Sequence, residues 1–284
     1  MDGTPGVREE LNSLTVTMTQ IPHLDPFIFG QRRSAVGREA GDLTGTPNVV
    51  KRVATILWDF DGTLATRPGL WSQAMVDVLD RYAPGHDFDR NHFRPVLRDG
   101  FPWHRHEQPH PHLNDPEAWW EEINRLIAAA FTSVGLSTDD VIALTANFRE
   151  VFLDPAAWVI YDDTEDALTR LSSHGWRHVI VSNHVPELPR LVTNLGLANH
   201  FEDIVTSAAV GYEKPHPEIF RLATSGLVLS DVVMVGDNPI ADVVGARAAG
   251  IKTFLVRRRD EDVAHYADLY ELVAALVDAS PHGA

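Results

Sequence analysis

The sequence predicts an α/β fold: a parallel sheet with helices on both faces, plus an inserted helical cap domain. Three observations lead there. Five near-continuous apolar runs read as strands buried on both faces. The helical segments between the later runs close at glycine. A long helix-patterned stretch separates the first strand from the second, well beyond what one crossover needs.

Residues 1–50 carry scattered Gly, Pro, Ser and Thr without a sustained period, and read as an extension with little regular structure. Within it, IPHLDPFIFG is apolar enough to dock, and Met18 is a candidate alternative start. The alternation begins at Val53 with VATILWDF. Residues 68–157 then hold the helical patterns LWSQAMVDVLDRY, EAWWEEINRLIAAAFTSVG and DDVIALTANFREVF, the expected cap standing over the strand ends. The core resumes as DDTEDALTRLSSHG, WRHVIVSN, PELPRLVTNLG, DIVTS, HPEIFRLATSG, VVMVGD, PIADVVGARAAG and KTFLVR. The expected organisation is therefore an extension over 1–50, a core over 51–67 and 158–284, and a cap over 68–157. A chain of 284 residues suits one domain with an insertion.

Charge and composition exclude several classes. The formal net charge of −16 offers no basic surface for nucleic acid or an anionic membrane. The absence of cysteine removes disulfides, thiolate catalysis and Cys-ligated zinc, and fits a cytoplasmic protein. No apolar run approaches a membrane span, and Arg8, Glu9 and Glu10 stand where a signal peptide would be apolar. A monomer or homodimer is expected.

Polar residues end the predicted strands where an apolar run would not choose them. The first ends DFDGT, the second Ser182 and Asn183, and the fourth GDNPIAD with Asp237 and Asp242; Lys214 follows the third in YEKPHPEIF. In a parallel sheet these ends share one edge. Asp59, Asp61 and Asp237 together form an acidic cluster that a hard cation such as Mg2+ would stabilise. Lys214 adds positive charge, Ser182 and Thr63 add hydroxyls, and Gly62 lets backbone N–H groups turn toward an anion. Such a pocket, with a carboxylate nucleophile, is the equipment of phosphoryl transfer.

The ordered set DFDGTLA, VSN, EKP and VGDNPIAD resembles the four motifs of the haloacid dehalogenase superfamily, in the subgroup with a helical cap after the first strand. The resemblance implies a Rossmann-like core and covers roughly residues 51–259. It implies Asp59 as nucleophile and Asp61 as general acid/base, with Mg2+ held by Asp59, the Asp61 carbonyl and Asp237. Thr63, Ser182, Asn183 and Lys214 would contact the transferring phosphoryl group, and Asp242 would support the metal site or orient Lys214. Dehalogenases of the superfamily lack the second aspartate, so Asp61 disfavours that reaction. A Schiff-base route through a cap lysine is closed, because no lysine lies between Arg67 and Trp158. Hydrolysis of a small phosphorylated metabolite is expected; a phosphosugar mutase and a non-catalytic phosphate sensor are the alternatives.

In the cap, FPWHRHEQPHPHL carries four histidines, but its prolines forbid a regular helix and no carboxylate is fixed beside them. The segment reads as a loop that helps choose the substrate through Trp103, His104 and Arg105, with Arg105 pairing a second anionic group. Trp119 reads as cap core, Glu187 as a helix-start residue, and Arg257–Arg259 as a solvated charge cluster.

Overall fold

The computed structural model describes residues 54–278, so the expected extension over 1–50 lies outside the described residues. The described chain builds eight strands: β1 Thr55–Trp58, β2 Ala65–Thr66, β3 Val159–Ile160, β4 Arg177–Ser182, β5 Asp203–Thr206, β6 Val232–Gly236, β7 Lys252–Val256 and β8 His265–Tyr266. Six form one sheet in the order β5-β4-β1-β6-β7-β8. Every pairing in it is parallel. β1 is buried along its whole length between β4 and β6, as its apolar sequence TILW requires. The chain runs outward from β1 through β4 to β5, then crosses to β6 on the opposite side. That reversal opens a crevice at the carboxyl end of β1.

β2 and β3 form an antiparallel two-stranded ribbon that brackets the insertion. Neither was predicted, because two residues cannot display a period. The insertion holds the helices Leu70–Tyr82, Pro116–Ser133 and Thr138–Phe152. Asp115 and Ser137 cap the second and third by accepting from backbone N–H groups of their first turns. In the proline-rich segment between the first and second of these helices, Pro102–Arg105 and Pro111–Leu113 form short 3-10 turns, each opened by its proline. The core helices close just before Gly175, Gly196, Gly226 and Gly250, the predicted stops. Residues Pro239–Val244 differ from expectation: they wind as a wide π-type turn with Asn238 accepting from the Ile240 and Ala241 N–H groups.

One apolar cluster runs from Trp58 on the sheet through Phe60 and Trp158 into Phe152, Phe148 and Trp119 of the insertion. Polar contacts reinforce it. Buried Arg67, beside the ribbon, pairs with Asp77 at 2.6 Å and donates to the Leu70 carbonyl at 3.2 Å. Glu187 stands at the start of the helix Leu188–Asn194, as expected, but its side chain makes no capping hydrogen bond. Its carboxylate accepts from Trp120 Nε1 at 3.0 Å and Arg149 Nε at 2.8 Å, tying two insertion helices to the core.

Arg257 also departs from the sequence reading. Its guanidinium clasps Asp163 at 2.6 and 3.1 Å, lies over the Tyr161 ring at 3.8 Å, and donates to the Thr63 carbonyl at 3.1 Å. Arg258 pairs with Asp237 at 3.3 Å. Arg257, at φ 61° where the chain turns, is thus an anchor, while Arg258 and Arg259 stay exposed as the sequence reading expects.

A buried carboxyl makes stability depend on pH. Glu213 is buried with Oε2 accepting no hydrogen bond, and burial lifts its carboxyl from 4.5 to about 7. A raised acid binds its proton more tightly in the native state than in the unfolded chain. The stability it contributes is therefore full below about pH 4.5 and lost as the pH rises to about 7. Urea unfolding of wild type and Glu213→Gln should show the wild type losing roughly 2 to 3 kcal/mol against the variant between about pH 5 and pH 8.

Candidate active site

β1 ends at Trp58, and Asp59 continues its ladder by donating its N–H to the Val235 carbonyl at 2.9 Å. That bond fixes the Asp59 backbone between the two central neighbours of the sheet. The carboxylate is then divided between two environments. Oδ1 accepts from Ser182 Oγ at 2.9 Å and from Lys214 Nζ at 2.8 Å. No hydrogen bond from a described residue falls on Oδ2.

Lys214 Nζ also meets Asp242 Oδ1 at 2.6 Å. Burial alone would lower the lysine's pKa, but Asp242 and Asp59 raise it above its usual value, so the ammonium persists. Both polar ends of the Asn183 side chain hold the Lys214 backbone: Nδ2 donates to its carbonyl at 2.8 Å and Oδ1 accepts from its N–H at 2.6 Å. Asp242 is anchored in turn by the Asn238 N–H at 2.9 Å.

Asp61 lies on the far side of Gly62, whose φ of 83° turns the chain back on itself. A Cβ at Gly62 would come within 2.7 Å of Asp237 Oδ2, so only glycine permits this approach. Asp61 Oδ1 is buried without a partner, and Oδ2 lies 3.6 Å from His184 Nε2. Burial, Asp59 and Asp237 push the Asp61 carboxyl well above its usual range. His184 is buried, and burial lowers its ring to about 4, leaving a neutral imidazole.

Carboxylate oxygens of Asp59, Asp237 and Asp242 lie within 4.8 Å of one another, the group of three suited to a metal among the described residues. Burial raises the Asp237 carboxyl to about 6, with Asp59 adding to the shift, and a cation beside it would favour the charged form. The donor set is all oxygen and fits Mg2+. Asp242 has committed both oxygens to Lys214 and Asn238, so Asp59 and Asp237 are the side chains better placed for an ion.

These groups floor a cavity of about 520 Å³ roofed by the insertion. Asp59, Asp61, Ser182, Asn183, Lys214, Asp237 and Asp242 reach its wall, as do Trp103 and His104. Thr63 and Arg105 do not. Thr63 is fully buried with its hydroxyl unpaired, turned inward where its carbonyl is held by Arg257. Arg105 ends the Pro102–Arg105 turn, exposed and off the wall. The arginines that do line the cavity are Arg94 and Arg98, and no motif marks either one. His110 of the histidine-rich segment is buried, with its N–H bonded to the Gly211 carbonyl at 2.7 Å. The four histidines of that segment contribute to no three-ligand metal group among the described residues.

Comparison with known proteins agrees with this geometry. Residues 53–250 match the family model described as haloacid dehalogenase-like hydrolase. The human haloacid dehalogenase-like hydrolase domain-containing protein 3 is 33% identical over 141 residues, 49% of this chain and 55% of that protein. The chain spans about half the length of several such relatives. A phosphoserine phosphatase of Thermus thermophilus is 37% identical over 123 residues, 42% of this chain and 49% of that protein. Pyrophosphatase PpaX of Bacillus pumilus is 32% identical over 208 residues, 71% of this chain and 82% of that protein. The magnesium-bound HAD-hydrolase YfnB of Bacillus subtilis shares the fold, with a TM-score of 0.62 at 20% identity over 80% of this chain and 99% of that one. With the motif residues gathered at one sheet edge and the family model spanning most of the chain, this protein belongs to the haloacid dehalogenase-like hydrolases.

Proposed function

We propose that the chain is a Mg2+-dependent phosphatase that hydrolyses a small phosphomonoester through an aspartyl-phosphate on Asp59. The observation that carries this reading is the asymmetry of the Asp59 carboxylate. Ser182 and Lys214 pin Oδ1, which leaves Oδ2 without a hydrogen-bond partner on the cavity floor, as a nucleophile requires. The phosphatases among its relatives support the same chemistry.

In this reading Asp59 Oδ2 attacks phosphorus as the ester P–O bond breaks. Asp61, whose carboxyl is pushed above its usual range by burial and by Asp59 and Asp237, delivers a proton to the leaving oxygen. The Asp61 carboxylate then takes a proton from water, which attacks the aspartyl-phosphate; the Asp59–phosphorus bond breaks and phosphate leaves. Lys214 balances charge on Asp59 throughout, and Asn183 holds that lysine in place. His184, neutral and in van der Waals reach of Asp61, limits where the acid can swing. Asp59, Asp237 and the Asp61 carbonyl would hold Mg2+, which supplies positive charge to the phosphoryl oxygens. Asp242 is read as orienting Lys214. The insertion would exclude bulk water during turnover. The substrate reading is a small phosphorylated metabolite, in the cytoplasm; no helix among the described residues is long and apolar enough to cross a membrane.

Phosphate release from generic phosphomonoesters tests this directly. Asp59→Asn should lower kcat by about a thousandfold or more, and Asp61→Asn by about a hundredfold or more. Survival of turnover in Asp59→Asn would sink the covalent route. Isomerisation of a phosphosugar without phosphate release would identify a mutase instead. Chelation with EDTA should abolish phosphate release and added Mg2+ should restore it; undiminished activity in EDTA would refute the metal assignment.

A further inference from the structure

We infer that the ester taken by this site carries an aromatic body and a second anionic group, the body lying against Trp71 and Trp103 and the anion paired with Arg98. This deepens the phosphatase reading and rests on it for the position of the phosphoryl group.

Four observations converge on it. The cavity, at about 520 Å³, falls among small-molecule sites of roughly 300 to 1,000 Å³ and leaves room beyond a phosphoryl group. Its walls away from the acidic floor are aromatic. Trp103 stacks on Phe101 with centroids 4.4 Å apart and planes at 8°, and Trp71 stacks on Phe152 at 4.2 Å and 19°. Both tryptophans remain partly exposed. Rings held by such neighbours are rigid, and where they line the cavity they can meet a flat apolar group at small entropic cost. Leu70 adds to this wall: it is 38% exposed and has a φ of 43°, a conformation costly for leucine outside a constrained site.

The remaining observation is electrostatic. The chain carries 40 acidic against 24 basic residues, and Arg67, Arg149, Arg257 and Arg258 each meet a carboxylate. Arg98 lines the cavity yet makes no hydrogen bond or ion pair with any described residue. Arg94, four residues earlier on the same wall, gives one bond to Asn91 Oδ1 at 2.9 Å and is otherwise available. An exposed arginine on the cavity wall with no protein carboxylate paired to it suits a carboxylate or phosphate on the ligand. In so acidic a chain it would also offset the repulsion an anionic substrate meets on approach.

A matched pair of substrates decides the matter: 4-carboxyphenyl phosphate and phenyl phosphate, with glycerol 3-phosphate and pyrophosphate alongside. Wild type should prefer the carboxylate by about tenfold in kcat/KM, mostly through KM, and both aryl esters over glycerol 3-phosphate. Arg98→Gln should bring the carboxyl-to-phenyl ratio close to one, whereas Arg105→Gln, off the wall, should leave that ratio intact. Trp103→Ala should erode the advantage of aryl esters over glycerol 3-phosphate. Equal kcat/KM for the matched pair, a ratio unmoved by Arg98→Gln, or a preference for pyrophosphate over both aryl esters would overturn the inference. Calorimetric binding of the same pair to Asp59→Asn reads the preference without turnover. If wild type hydrolyses nothing, the phosphatase reading fails, and this binding ratio still decides for or against the aromatic dianion.

Discussion

A single buried ammonium organises the floor of this site. Lys214 Nζ lies between Asp59 and Asp242, with carboxylate contacts of 2.8 and 2.6 Å and almost no solvent. Removing one partner from such a set leaves an uncompensated buried charge, at a cost of about 3 to 5 kcal/mol. Each neighbour is accordingly over-determined. Asn183 holds the lysine backbone at both ends, and the π-type turn after Asn238 places Asp242 against it. Even the strand residue beneath is constrained: a Cβ at Gly236 would fall 2.1 Å from Asp242 Oδ2. The free oxygen of Asp59 exists because its twin is fully occupied.

The aromatic roof is held to this floor by a second set of contacts. Glu187, four residues after Asn183, receives Trp120 and Arg149 from two insertion helices. Gly211, three residues before Lys214, accepts the His110 N–H and has no room for a side chain against Pro111. Roof and floor therefore meet beside the two segments that present Asn183 and Lys214, so displacement of one is felt at the other.

The sheet and the acidic centre were legible in the sequence for definite reasons. A strand buried on both faces has a continuous apolar run, and polar residues closing three such runs stand out against it. Asp59, Asp61, Ser182, Asn183, Asp237 and Asp242 belong to those closures, Lys214 follows the third strand, and all seven line one cavity. What was missed depends on contacts between distant segments. Thr63 is buried off the cavity wall, and its carbonyl is held by an arginine far along the chain. Arg257 looks solvated until the backbone turns it onto Asp163. The specificity loop was sought at Arg105, but the cationic wall belongs to Arg94 and Arg98, whose spacing carries no periodic signal.

The Asp163 carboxylate has a reach beyond its own ion pair. While Arg257 holds it, Oδ2 also accepts the Leu269 N–H at 2.8 Å, at the start of the helix Leu269–Asp278. The same arginine grips the Thr63 carbonyl, four residues after Asp59. The last described helix and the loop bearing the nucleophile thus hang from one clasp. The family match stops at residue 250, before either Arg257 or Leu269. A fragment cut at that boundary would retain every motif residue yet lose Arg257, and with it the contacts that join Asp163 to the Thr63 carbonyl.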